Sequence, residues 1–116
     1  MGSQNAVILR FEDLRSLAFG GISGVYAGVG TGSTNAIRMI KVTNLTDATL
    51  LISFNGIDDK DVIAASSAFI YDYGSNTSIQ GGALEQPSGT RIFVKQASGA
   101  ATSGTVYVTI IYVSVS

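Results

Sequence analysis

The sequence predicts an all-β protein, an antiparallel β-sandwich of jelly-roll type with about eight or nine short strands. Three observations carry this expectation. Apolar residues recur with a period of two, the recurring positions are filled by β-branched and aromatic side chains, and clusters of Gly, Asn, Ser and Pro separate the runs. At 116 residues the chain has the size of one ordinary domain and can bury a core without staples.

Taken in order, strands are expected over residues 6–11, 14–19, 25–29 and 37–43. A helical turn competes at Glu12-Asp13-Leu14-Arg15. Within 37–43 the alternation breaks step between Met39 and Ile40, the mark of a β-bulge or of a strand that changes sheets. Leu50, Ile52 and Phe54 share one face, with Leu51 and Ser53 on the other. Phe69, Tyr71 and Tyr73 alternate with Ile70 and Asp72, and Ile92 and Val94 alternate with Arg91, Phe93 and Lys95. The last run, Thr105–Val115, is apolar on both faces and is expected to lie centrally with both faces covered. Asn55-Gly56 with Asp58-Asp59-Lys60 makes a hairpin tip. A long loop starts at Tyr73-Gly74-Ser75-Asn76 and runs through Gly81-Gly82. Pro87-Ser88-Gly89 and residues 98–104 supply further turns. Residues 14–116 read as a single sandwich domain, preceded by an N-terminal segment, 1–13, that is a candidate assembly arm. In that segment Val7, Ile8, Leu9 and Phe11 are the interface candidates, because a strong β-former beside a polar leader is suited to adding a strand to a neighbour's sheet.

Composition narrows the chemistry. The chain has no cysteine and no histidine, so it has no disulfide framework, no thiol nucleophile, and neither the commonest neutral-pH base nor the commonest zinc ligand. Seven basic and eight acidic residues give a net charge of −1, without the basic excess that phosphate binding requires, so no nucleic-acid partner is expected. Charged residues make up 13% of the chain, about half the usual share. A lone monomer would therefore expose much neutral or apolar surface, which more often faces a partner than water. The apolar runs are strand-length, too short to cross a bilayer as helices. Met1-Gly2-Ser3-Gln4-Asn5 lacks the basic start and apolar run of a signal peptide, and Ala6 stands where a myristoylation signal needs Ser or Thr. Synthesis in a cytoplasm, with no membrane partner, is the expectation.

Four patterns could carry chemistry. Asp58, Asp59 and Asp61 offer carboxylates that could hold calcium, but their spacing matches no calcium loop, and a solvated hairpin tip is the preferred reading. Gly20-Gly21-Ile22-Ser23-Gly24 and Gly28-Val29-Gly30-Thr31-Gly32 have neither the helix nor the lysine of a phosphate loop and read as turns. Tyr26, Tyr71, Tyr73, Tyr107 and Tyr112 could stack a sugar, although most lie in strand alternation and the chain has no tryptophan. Asn44-Leu45-Thr46 and Asn76-Thr77-Ser78 match the glycosylation sequon, which has meaning only on a secretory route. Without histidine there is no Ser-His pair, and a Ser-Lys dyad has no supporting motif. No enzyme, cofactor or resident metal is expected.

Residues 15–24, the stretch Val42-Thr43-Asn44-Leu45-Thr46-Asp47 with Ile52-Ser53-Phe54-Asn55-Gly56, and Ser103-Gly104-Thr105-Val106-Tyr107-Val108 together resemble small β-sandwich virion proteins of tailed bacteriophages. The resemblance covers most of the chain, from Leu14 to Tyr112, and rests on general texture rather than on a catalytic signature. It implies a non-enzymatic structural protein of the particle, made in the host cytoplasm, homo-oligomeric, and packed against other virion proteins such as the major capsid protein. A capsid decoration or cement protein is the leading expectation. A collar, head-fibre-base or tail component is the alternative within that class, and a glycan- or receptor-binding module the alternative outside it.

Overall fold

Period-two alternation sorts side chains onto the faces of two sheets in a computed structural model that describes residues 7–73 and 87–115. The described strands are β1 (Val7–Phe11), β2 (Arg15–Ala18), β3 (Ala27–Gly28), β4 (Met39–Asn44), β5 (Leu50–Ser53), β6 (Asp61–Ile63), β7 (Ser67–Asp72), β8 (Phe93–Gln96) and β9 (Thr105–Val115). One sheet runs β1-β9-β4-β7, with β2 also paired to β9, and the other runs β3-β8-β5-β6. Every pairing is antiparallel. The protein is an all-β sandwich.

β9 organises the first sheet. β4 lies along one side of it, from Met39 opposite Ile111 to Asn44 opposite Val106. The other side is shared, with β2 against Thr105 to Val108 and β1 against Ile111 to Val115. The expected central position is therefore found. Cover is not the same on its two faces. Val106, Val108 and Ile110 are buried against the second sheet, whereas Tyr107, Thr109 and Ile111 on the outer face are only half-buried. Lateral neighbours shield that outer face in part, and no described element packs over it.

The core between the sheets is aliphatic. Ile40 and Val42 of β4, Leu50 and Ile52 of β5, and Val94 of β8 are fully buried with Ile37. Each such side chain contributes about 1.5–3 kcal/mol relative to exposure. Phe54, Phe69, Tyr71 and Tyr73 close one side of the core, with the Phe69 and Tyr71 rings edge to face at 4.9 Å.

The step in the fourth run falls at Arg38, one residue before the position expected. Ile37 and Ile40 are both fully buried although three residues apart, which regular alternation forbids, and the chain bends at Arg38 to allow it. The Arg38 N–H donates to the Ile111 carbonyl at 2.8 Å, and its carbonyl accepts from the Tyr73 N–H at 2.9 Å.

Other elements also differ from the expectation. The run 25–29 reduces to the two residues of β3, and the run 14–19 ends early in a 3₁₀ turn, Phe19–Gly21. β6, three residues with an aspartate at its start, forms the edge beside β5 and was not expected as a strand. No helical turn forms over residues 12–15.

The N-terminal segment 1–13, expected as an arm beside a domain of residues 14–116, contributes β1 to that domain's own sheet, because β9 is long enough to carry two strands on one side. Residues 1–6, the second sequon and most of the long loop through Gly81-Gly82 lie outside the described residues. The first sequon is structural: Asn44 is fully buried, donating to the Ala48 and Ala64 carbonyls and accepting from Thr46.

Candidate interaction surface

The two outer faces of the sandwich differ in chemistry. On the first sheet, the registers place Leu9 and Phe11 of β1, Ile111 and Val113 of β9, Met39 of β4 and Ile70 of β7 on the same outward side. Phe11, Ile111 and Met39 form one row across three strands, and Leu9 and Val113 form the next. Exposure is high where large apolar side chains rarely tolerate it: 68% for Phe11, 59% for Ile70 and 55% for Leu9. Lys41 and Asp72 are the charged side chains on this face among the described residues, one of each sign. From strand spacing and rise the face covers roughly 500–600 Å². That is somewhat less than the half-share of a standard interface, about 800 Å² per partner.

The outer face of the second sheet mixes apolar Leu51, Val62 and Phe93 with polar side chains that are paired with one another. The Arg91 guanidinium lies 5.3 Å from the Phe93 ring centroid, and its Nε donates to the Gly30 carbonyl at 2.5 Å. It passes directly over Gly28, where any Cβ would collide with it. The Lys95 ammonium sits 4.6 Å from the Tyr26 ring centroid and 3.4 Å from Asp59. The Tyr26 hydroxyl donates to Asp59 at 2.5 Å. Burial, then the Asp59 hydrogen bond and charge, push the Tyr26 hydroxyl up to about 12, and the same hydrogen bond holds the Asp59 carboxyl below its ordinary value.

The interface candidates divide accordingly. Leu9 and Phe11 stand exposed on the apolar outer face, Ile8 is half-buried on the opposite side of β1, and the side chain of Val7 lies outside the described residues. Met39, Ile70, Ile111 and Val113 belong to the same surface but were not foreseen as interface residues. Their signal was present, as apolar residues at the outward positions of alternating strands.

The three carboxylates of the hairpin tip turn to different partners. Asp58 accepts from the Asn55 amide at 2.8 Å, Asp59 from Tyr26, and Asp61 from the Tyr71 hydroxyl at 2.5 Å. Among the described residues no group of three ligand side chains gathers to hold a metal ion. The five tyrosines are half-buried in or beside strands rather than displayed on loop tips. Burial and the bond to Asp61 raise the Tyr71 hydroxyl well above its ordinary value, and burial raises Tyr73.

An open cleft at the β1–β2 corner is lined by Phe11, Glu12, Arg15, Thr34, Asn35 and Tyr112, among others. The charges of Glu12 and Arg15 there are paired with each other. Glu12 accepts from Arg15 and from the N–H groups of Thr34 and Asn35, while Arg15 also donates to the carbonyls of Asp13, Thr31 and Gly32. Glu12 and Arg15 thus form a structural latch, and Asp13 and Ser16 line the same cleft at exposed positions. No helix among the described residues is long and apolar enough to cross a membrane. No family model matches the sequence, and no curated protein is significantly similar to it.

Proposed function

We propose that this chain is a non-enzymatic structural protein of a tailed-phage virion, a capsid decoration or cement protein that packs on the shell through the outer face of its first sheet. The observation that carries this reading is that face itself. It is apolar, nearly free of charge, and exposes Phe11, Leu9 and Ile70 on one sheet. Burying apolar surface against a neighbour gives roughly 25 cal/mol per Å², so such a face supports attachment without ion pairs. The resemblance to small virion proteins and the low charge of the whole chain support the same reading. Glu12 and Arg15 in the cleft, and Arg91, Lys95, Tyr26 and Asp59 by the second sheet, are engaged in holding the fold, which favours a structural over a catalytic role.

The test is the copy number of this protein in purified particles of the virus that encodes it. A capsid-scale number, matching the shell's symmetry, is expected. A small multiple of five or six would move it to a collar or tail. Absence from the particle would overturn the reading.

A further inference from the structure

We infer that β1 is a two-fold pairing edge, through which a second copy of this chain adds its own β1 in antiparallel fashion, centred on Leu9, to join two five-stranded sheets into one. This concerns a strand edge and a second copy, and it goes beyond attachment of the sheet face to a shell.

Among the described residues β1 ends the order of its sheet and pairs with β9 alone. The Glu12 N–H donates to the Ile110 carbonyl at 3.0 Å. With Arg10 opposite Tyr112 and Ile8 opposite Ser114, this fixes which residues point their backbone groups into the sheet. Antiparallel ladders alternate, so the N–H and C=O groups of Val7, Leu9 and Phe11 point outward from the free edge. The strand reads Val-Ile-Leu-Arg-Phe, with no proline, no glycine and one charge, so it carries none of the usual blocks to edge pairing except Arg10. Arg10 is drawn back toward its own chain, where its Nε donates to the Ser114 hydroxyl at 2.7 Å.

The strand is self-complementary in one register. Full antiparallel overlap sets Leu9 opposite the second copy's Leu9 and Ile8 opposite its Arg10, with about six backbone hydrogen bonds from the outward groups. A slide of two residues in one direction sets Arg10 against Arg10, a like-charge contact that disfavours it. The opposite slide carries Arg10 and Phe11 beyond the partner strand. A slide of one residue turns the outward groups of one strand toward groups that are already paired. Directly opposed residues share a face, so Leu9 and Phe11 of both copies fall on the same outer surface and the two apolar faces become one band.

The experiment uses the full chain. Sedimentation equilibrium over a concentration series should show a monomer–dimer equilibrium. Because the chain has no cysteine, Leu9→Cys and Ile70→Cys can each be treated with a short bismaleimide. Leu9→Cys should cross-link to itself, while Ile70→Cys, on β7 at the other side of the sheet, should not. Leu9→Pro removes an outward N–H without touching the β1–β9 ladder, and Leu9→Lys sets like charges at the two-fold. Each should weaken the dimer at least tenfold with the thermal transition retained. A wild-type protein that stays monomeric, a dimer that survives both substitutions, or cross-linking at position 70 in place of position 9 would overturn the inference. Monomeric protein that still decorates particles would sink this pairing alone and leave the virion role standing.

Discussion

Glu12 and Arg15 form an ion pair of 2.8 Å at the β1–β2 corner, with side chains only 5% and 8% exposed. The pair holds the turn that directs β1 along the far half of β9, and so sets where Leu9 and Phe11 stand. Removing one partner leaves a buried charge without its counter-ion, which typically costs 3–5 kcal/mol. Glu12→Ala should therefore lower the unfolding free energy by about that amount in urea titrations. A loss of less than about 1 kcal/mol would show that water replaces the carboxylate there.

Gly28 and Arg91 form a second coupled pair. Gly28→Ala puts a Cβ into the guanidinium, which must then leave the Gly30 carbonyl and the Phe93 ring, at a cost of about 1 kcal/mol. With Arg91→Ala the obstruction is gone, so the same Gly28 substitution should cost little. A double-mutant cycle measures the difference. Equal costs in both backgrounds would mean that the backbone, and not the arginine, demands glycine.

Alkaline pH should destabilise the fold. The hydroxyls of Tyr26 and Tyr71 sit above the ordinary tyrosine value of 10.0 in the folded chain. In the unfolded chain they lose their protons first, so their contribution is complete below pH 10 and is lost as pH rises through the folded values. For Tyr26 that window runs from 10.0 to about 12. Denaturation midpoints followed from pH 8 to 12 should fall above about 10, and more gently in Tyr71→Phe. A flat profile in the wild type would contradict the half-buried hydroxyl bond to Asp61.

The strands that were legible in the sequence are those whose burial alternates, such as β4, β7 and β9. β6 was missed because three residues give too short a pattern and Asp61 resembles turn chemistry, although it is the anchor for the Tyr71 hydroxyl. The candidate surface was half legible. Leu9 and Phe11 stood out because they follow a polar leader, while Met39, Ile111 and Ile70 read as ordinary strand residues until the register aligned them on one face. Apolar residues on both faces of β9 suggested double cover. Period-two patterning cannot distinguish a face covered by the chain itself from one reserved for a neighbour.

The most direct measurement is retention of the protein on purified particles washed in molar sodium chloride, for the wild type and for Phe11→Asp. Surface ion pairs are worth about 0–1 kcal/mol and are screened by salt, whereas apolar burial is not weakened in that way. Full retention of the wild type in high salt, and loss of the folded Phe11→Asp chain even in low salt, is the expected result. Release of the wild type by moderate salt, or undiminished attachment of Phe11→Asp, would contradict attachment through the apolar face.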